Sequence, residues 1–284
     1  MNPRCFVAGQ PIAHSRSPLI HGHWLTEHGI AAEYGRVECG AADLPSLLAR
    51  VRSGEFLGGN LTVPLKETAI PLLDQVTAEA LDMGAVNTVF RREGALWGAN
   101  TDVPGYFAHL DQSCPGWDAE PVDALVLGAG GAARAIVWGL LRRNLRSVTV
   151  ANRSPDRAIA LATSLGDARI LTAPWPPSPA ALAEAGLIVN ATSLGMKGQP
   201  PLDLDWPDDL SQAIVSDIVY VPLVTPMLEA AEARGARTVD GLGMLLHQAA
   251  LAFAFWFGVT PGVTPELREK VAADIPRRAA DLAP

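Results

Sequence analysis

Cysteine is scarce in this chain. Cys5, Cys39 and Cys114 are odd in number and widely spaced, and no C-x-x-C pair occurs. The pattern argues against a disulfide framework or a zinc site and fits reduced thiols inside a protein. Positive charge is also in deficit. Lys and Arg number 22 against 30 Asp and Glu, for a net charge of −8 and a pI near 5.2. No basic footprint exists for a phosphate backbone, so a nucleic-acid partner is not expected. Long apolar runs are missing too. The most apolar stretch, residues 249–259, falls short of the roughly 20 residues that span a bilayer, and reads as a buried helix. Met1-Asn2-Pro3-Arg4 leads straight into a short apolar strand, without the pattern of a signal peptide. The expectation is a cytoplasmic protein with no membrane partner, working as a monomer or homodimer.

What remains is an ordinary globular composition, 49% hydrophobic and 18% charged over 284 residues, comfortable for two domains. The first hundred residues alternate strand-like and helix-like stretches. Strands are expected at 6–9, 34–39 and 59–63, helices at 18–28 and 44–51, and a strand pair at 86–91 and 95–99 around the turn signal Glu93-Gly94. From Val122 a cleaner rhythm begins: strands at 123–127, 147–151, 187–190 and 214–218, with helices at 131–143, 155–165 and 226–234. That alternation implies a parallel, doubly wound sheet. The Pro-rich stretch 173–177 reads as a loop, and an apolar helix runs from Asp240-Gly241-Leu242-Gly243 through Phe257.

Gly128-Ala129-Gly130-Gly131-Ala132-Ala133 follows an expected strand and opens an expected helix. In that context G-x-G-x-x-A is a dinucleotide fingerprint. The first glycine permits the tight turn, the second lets a pyrophosphate approach the backbone, and the helix N-terminus presents free N–H groups. A glycine turn that is only a turn is the alternative. At the end of the next strand, where a carboxylate would bind an adenosine ribose hydroxyl, the chain instead has Asn152-Arg153-Ser154-x-x-Arg157. Two guanidinium groups and a hydroxyl suit a 2′-phosphate, hence NADP, although a solvated surface turn would read the same way in isolation.

Five further segments carry polar groups: His14-Ser15-Arg16-Ser17-Pro18, Asn60-Leu61-Thr62-Val63-Pro64-Leu65-Lys66, Ala85-Val86-Asn87-Thr88, Asn100-Thr101-Asp102 and His247-Gln248. Ser15 and Ser17, two apart, place both hydroxyls on one side of an extended segment, though Ser-x-Ser-Pro also makes a turn and helix cap. Lys66 is by residue type a solvated charge at a helix start, and Gln248 is an amide in an apolar helix, which needs partners. His14, His21, His23 and His28 are dense, yet no carboxylate or cysteine cluster completes a metal shell around them, so no metal is expected.

Together, in this order, the segments and the glycine turn resemble the shikimate dehydrogenase family, from about Val7 to about Gly258. The resemblance implies an α/β protein: an N-terminal α/β substrate domain, a Rossmann-like doubly wound parallel sheet, and C-terminal helices returning to the first domain. It implies a substrate domain of 1–103 plus 238–284 and an NADP domain of 104–237. The implied reaction is the reversible NADPH-dependent reduction of 3-dehydroshikimate to shikimate. Lys66 and Asp102 would be the catalytic pair, and Ser15 and Ser17 would bind the substrate carboxylate. Thr62, Asn87, Asn100 and Gln248 would serve its ring hydroxyls, with Tyr220 beside them. Gly128, Ala129, Gly130, Gly131, Ala132, Asn152, Arg153, Ser154, Arg157, Thr192, Gly241 and Met244 would hold the cofactor.

By residue type alone Tyr220 also reads as a core aromatic and Met244 as core filler. The chain departs from the family pattern at Val221 and Val224, at Gly22, and at Val103, where a glycine is common after Asp102. Within the enzyme class a quinate/shikimate dehydrogenase or a paralogue acting on an amino analogue stays open. A dinucleotide-binding sensor is the non-enzyme alternative, and it would have no need of both Lys66 and Asp102.

Overall fold

The computed structural model describes residues 2–281. Its contacts divide the chain into two units, one of Met1–Gly105 with Leu245–Val271, the other of Tyr106–Met244 with the residues from Ala272 onward.

The first unit holds a six-stranded mixed sheet. Its strands are β1 (Arg4–Gly9), β2 (Glu33–Glu38), β3 (Gly58–Leu61), β4 (Gln75–Val76), β5 (Thr88–Arg92) and β6 (Ala95–Ala99), in the order β2-β1-β3-β5-β6-β4. β1 runs parallel to β2 and β3, while β5 is antiparallel to β3 and β6. Phe6, Leu48, Leu61, Leu65, Val89 and Leu96 lie in one core on this sheet, and burial of their apolar surface is its main stabilisation. β3 ends at Leu61, earlier than its sequence suggests, because the chain turns at once: the Leu65 N–H donates to the Thr62 carbonyl at 2.7 Å.

A helix not expected from the sequence, Asp102–Ser113, follows β6 directly. Pro104 and Gly105 disguise it, yet proline is tolerated in a first turn because its missing N–H has no helical acceptor there. Asn100 fixes the start, its Oδ1 accepting from the backbone N–H of Asp102 at 3.0 Å and of Val103 at 3.4 Å. Of the helix Gly241–Phe257, the part from Leu245 onward packs within the first unit, as the family resemblance implied. There Trp256 Nε1 donates to the Val89 carbonyl at 3.0 Å, and Phe253 lies edge-on to the fully buried Trp24.

The second unit holds six strands, β7 (Val122–Leu127), β8 (Leu145–Ala151), β9 (Ile170–Ala173), β10 (Leu187–Asn190), β11 (Ile214–Asp217) and β12 (Arg237–Val239). Their order is β12-β11-β10-β7-β8-β9 and every pairing is parallel. This is the doubly wound arrangement, with the order reversing between β7 and β10. β9, β12 and the helix Pro179–Glu184 were not expected. The helix after β7 stops at Leu140 and β11 at Asp217, each short of its expected end. The pairing of β12 with β11 puts Arg237–Val239 on the second sheet. Residues near 276 also belong there, since the Leu223 N–H donates to the Pro276 carbonyl at 2.9 Å. The expected assignment of everything after 238 to the substrate domain differs from this at 238–244 and from 272 on.

Candidate active site

In the first unit Lys66 Nζ lies 2.6 Å from Asp102 Oδ2. Each partner comes from a rigid support. Lys66 sits in the short helix Leu65–Thr68, and its carbonyl accepts from the Val86 N–H at 2.8 Å, which ties this turn to the segment before β5. Asp102 opens the helix that Asn100 caps. The two side chains are 32% and 20% exposed, so solvent weakens their attraction and the pair counts mainly as fixed geometry. An ammonium held on a carboxylate in this way has its protons aimed, which suits proton exchange with a nearby oxygen.

Around the pair runs a buried amide and hydroxyl network. Asn87 Oδ1 accepts from the Thr101 N–H at 2.8 Å, while Asn87 Nδ2 donates to Thr101 Oγ1 at 3.0 Å. Thr101 Oγ1 reaches Gln248 Oε1 at 3.4 Å, and Gln248 Nε2 donates to the Leu245 carbonyl at 2.9 Å. Behind Asn87, Tyr34 donates to Asn60 Oδ1 at 2.7 Å and Asn60 Nδ2 donates to Thr88 Oγ1 at 3.1 Å. Thr101, Thr88, Asn60 and Tyr34 were given no role on sequence grounds. The signal of Asn60, Thr88 and Thr101 was three polar side chains in or beside apolar strands, which must pair when buried, while Tyr34, in the polar strand β2, gave none. Asn100, expected near ring hydroxyls, donates from Nδ2 to the Ala85 carbonyl at 3.0 Å and accepts at Oδ1 from Asp102 and Val103.

Ser15 and Ser17 do come together, their hydroxyls 3.2 Å apart. The N-cap residue Arg16 gives the helix Ser17–Glu27 no side-chain cap, but Ser15 Oγ accepts from the Ser17 N–H at 3.3 Å, so this segment is also a turn at a helix start. Arg36 Nε donates to the Ser15 carbonyl at 3.1 Å and fixes the turn. Thr62 is half-buried, and its methyl packs against Gly9. His21 is buried in a stack on Tyr34, ring centroids 4.0 Å apart, and burial pushes its imidazole down to about 3, so it is neutral.

In the second unit the glycine turn leaves β7 at the point where strand order reverses, the position at which such sheets bind nucleotides. Gly128 has φ +111°, which other residues rarely adopt, and a Cβ there would lie 2.9 Å from Thr192 Cγ2. Gly131 and Ala132 form the first turn of the helix Gly131–Leu140, whose N–H groups have no helical acceptor. A Cβ built on Gly130 would meet nothing within 4 Å, so the approach to these donors is open. After β8, Arg153, Ser154 and Arg157 are exposed around the start of the helix Pro155–Leu165, and neither guanidinium pairs with a described carboxylate. Asn152 Nδ2 donates to the Ser154 carbonyl at 2.9 Å and shapes that turn.

Thr192 sits beside Gly128, but its hydroxyl is engaged, donating to Asn190 Oδ1 at 2.7 Å and accepting from the Leu194 N–H at 3.0 Å. Tyr220 lies on the loop after β11. Gly241 backs onto the Ile218 carbonyl, and Met244 is in the first turn of the following helix. The lysine–aspartate pair and the glycine turn therefore belong to different units. Among the described residues no helix is long and apolar enough to cross a membrane.

Three family models match the chain: the shikimate dehydrogenase substrate binding domain at residues 7–89, shikimate / quinate 5-dehydrogenase at 113–196, and the shikimate 5'-dehydrogenase C-terminal domain at 241–265. The chain is 51% identical to the shikimate dehydrogenase (NADP(+)) of Azorhizobium caulinodans over 96% of each chain. It superposes on the shikimate 5-dehydrogenase of Thermus thermophilus, solved with NADP(H) and shikimate, with a TM-score of 0.84 and 40% identity over 96% of this chain and 99% of that one. It likewise superposes on the quinate dehydrogenase of Corynebacterium glutamicum, solved with NAD, with a TM-score of 0.86 and 32% identity over 96% of this chain and 99% of that one.

Proposed function

The chain belongs to the shikimate dehydrogenase family, and from that premise we propose that it catalyses the reversible NADPH-dependent reduction of 3-dehydroshikimate to shikimate. The observation that carries the chemistry is the 2.6 Å contact of Lys66 Nζ with Asp102 Oδ2. Reducing a ketone needs a hydride at carbon and a proton at oxygen. NADPH, when bound, supplies the hydride. Lys66 donates the proton from Nζ to the developing alkoxide oxygen, and in the reverse direction accepts it from the alcohol. Asp102 keeps Nζ aimed in both directions and offsets its charge while it is protonated.

The remaining assignments follow the polarity of the pocket residues. Ser15 and Ser17, paired at 3.2 Å, hold the substrate carboxylate. Thr62, Asn87 and Gln248 address the ring hydroxyls, and Tyr220 contributes from its loop. Gly128 and Gly130 admit the pyrophosphate to the N–H groups of Gly131 and Ala132. Arg153 and Arg157, with Ser154 and Asn152, receive the 2′-phosphate, since the strand-end position that would select the NAD ribose with a carboxylate is Asn152 here. Gly241, Met244 and the Thr192 loop complete the cofactor site. The protein acts in the cytoplasm, in keeping with three buried free thiols. It works as a monomer or homodimer, since each chain carries its own lysine–aspartate pair and glycine turn.

Oxidation of quinate is a second reading, favoured by the fold shared with the quinate dehydrogenase. Following reduced-nicotinamide absorbance with shikimate and with quinate, each with NADP and NAD, tests both. The expected result is the highest kcat/KM for shikimate with NADP. Higher efficiency with quinate would favour the second reading, and no turnover of either acid would overturn the assignment.

A further inference from the structure

At the carboxyl ends of β10 and β11 a carboxylate is buried where the catalytic chemistry does not use it. Asn190 and Asp217 are register partners across these two strands, and Asp217 is only 1% exposed. Asp217 Oδ1 accepts from Asn190 Nδ2 and from the Val219 N–H, each at 2.9 Å, and Oδ2 accepts from Thr225 Oγ1 at 2.7 Å. Three donors on one buried carboxylate leave it little freedom.

The consequences run in two directions. Asn190 Nδ2 donates to Asp217 and, at 3.2 Å, to the Leu194 carbonyl, so Asn190 Oδ1 faces the other way. It accepts there from the Thr192 N–H at 3.0 Å and from the Thr192 hydroxyl at 2.7 Å. This sets the rotamer that puts the Thr192 methyl against Gly128. On the other side, Val219 and Thr225 bracket the loop that carries Tyr220, and Thr225 caps the helix Pro226–Glu232. The two loops are also joined by the Lys197 N–H, which donates to the Val221 carbonyl at 2.9 Å.

We propose that Asp217 is a positioning residue for cofactor binding, one carboxylate that holds the Thr192 loop against the glycine turn and spans the Tyr220 loop. This rests on the reading of the glycine turn as the NADP site and assigns to that site a residue that does not touch the cofactor.

The test measures NADP and shikimate dissociation constants by calorimetry in the wild type and in Asp217→Ala, Asp217→Asn and Thr225→Val, each checked for a cooperative thermal transition. Asp217→Ala should weaken NADP binding by about tenfold or more and shikimate binding much less, by about threefold at most, since of the residues assigned to the substrate only Tyr220 sits on the loop that Asp217 spans. Asp217→Asn keeps an acceptor for Asn190 and Val219, so it should recover most of the affinity, to within about threefold of wild type. If Asp217→Ala does not fold, Thr225→Val decides the matter: about threefold weaker NADP binding supports the role, and unchanged binding overturns it. A folded Asp217→Ala with wild-type NADP affinity shows a residue that only stabilises the domain and overturns the proposal, as does an Asn variant no better than Ala. A wild type that binds no nicotinamide nucleotide would instead overturn the function reading, and this role with it.

Discussion

Gly105 and Gln248 are in contact across two helices: a methyl group at position 105 would lie 2.6 Å from the Gln248 backbone nitrogen and 2.7 Å from its Cβ. The helix that begins with Asp102 therefore approaches the helix bearing Gln248 as closely as backbone allows. Thr101, four residues before Gly105, reaches the Gln248 amide. The close approach thus places the end of the polar network as well as packing the unit.

Gly105→Ala should then act on both stability and substrate binding. Overpacking of this kind costs about 1–3 kcal/mol, and the displaced Gln248 should raise KM for shikimate more than it lowers kcat. Chemical denaturation and steady-state kinetics on one preparation check this. Wild-type stability with wild-type KM would show that the helices separate freely here.

Asp217 should make stability fall with rising pH. Burial pushes its carboxyl up to about 6 from an ordinary value near 3.8, against the opposing hydrogen bonds from Thr225, Val219 and Asn190. A raised folded-state pKa means the contribution is fully present below about pH 3.8 and lost as pH rises through about 6. The shift corresponds to a loss of about 2–3 kcal/mol. In urea denaturation, Asp217→Asn should gain on wild type by that order between pH 4 and pH 7, then stay level. A difference that does not change with pH would contradict a buried titrating carboxyl.

Cofactor choice should follow Arg153 and Arg157. A charge-assisted bond to phosphate contributes on the order of 1.5–3 kcal/mol. Arg153→Asp removes such a bond and offers an acceptor to the NAD ribose hydroxyl. The expected change is a loss of NADP kcat/KM by about tenfold or more, with NAD holding or rising. Arg157→Ala should push the same way more weakly. Measuring both cofactors in wild type and variants decides it, and an unmoved ratio in Arg153→Asp would remove these arginines from phosphate recognition.

The parallel sheet was legible because strands buried on both faces are apolar throughout, as in Ala124-Leu125-Val126-Leu127, and glycine turns and caps mark their ends. The helix Asp102–Ser113 was hidden by Pro104 and Gly105, whose purposes are a first turn and a helix crossing that sequence does not display. β9 and the helix Pro179–Glu184 flank a Pro-rich loop and are too short to show a period. Of the site, Lys66 with Asp102 and Ser15 with Ser17 were found by motif order, and both pairs lie within hydrogen-bonding distance. The roles of Thr101, Asn60 and Asp217 were not, because each depends on a partner distant in sequence. Asp217 and Asn190 do stand out as polar ends of apolar strands, but only their register shows that they meet.

The account depends most on Lys66 as the proton donor, and the Lys66→Ala variant tests it directly. Single-turnover and steady-state rates of NADP reduction by shikimate should be measured alongside the shikimate dissociation constant. General acid–base groups contribute about 10²–10⁴ in rate, and loss of an interaction used in the transition state falls on turnover. The predicted result is a fall in kcat of about a hundredfold or more, with a much smaller change in shikimate affinity. Near-normal turnover in the variant would contradict the account.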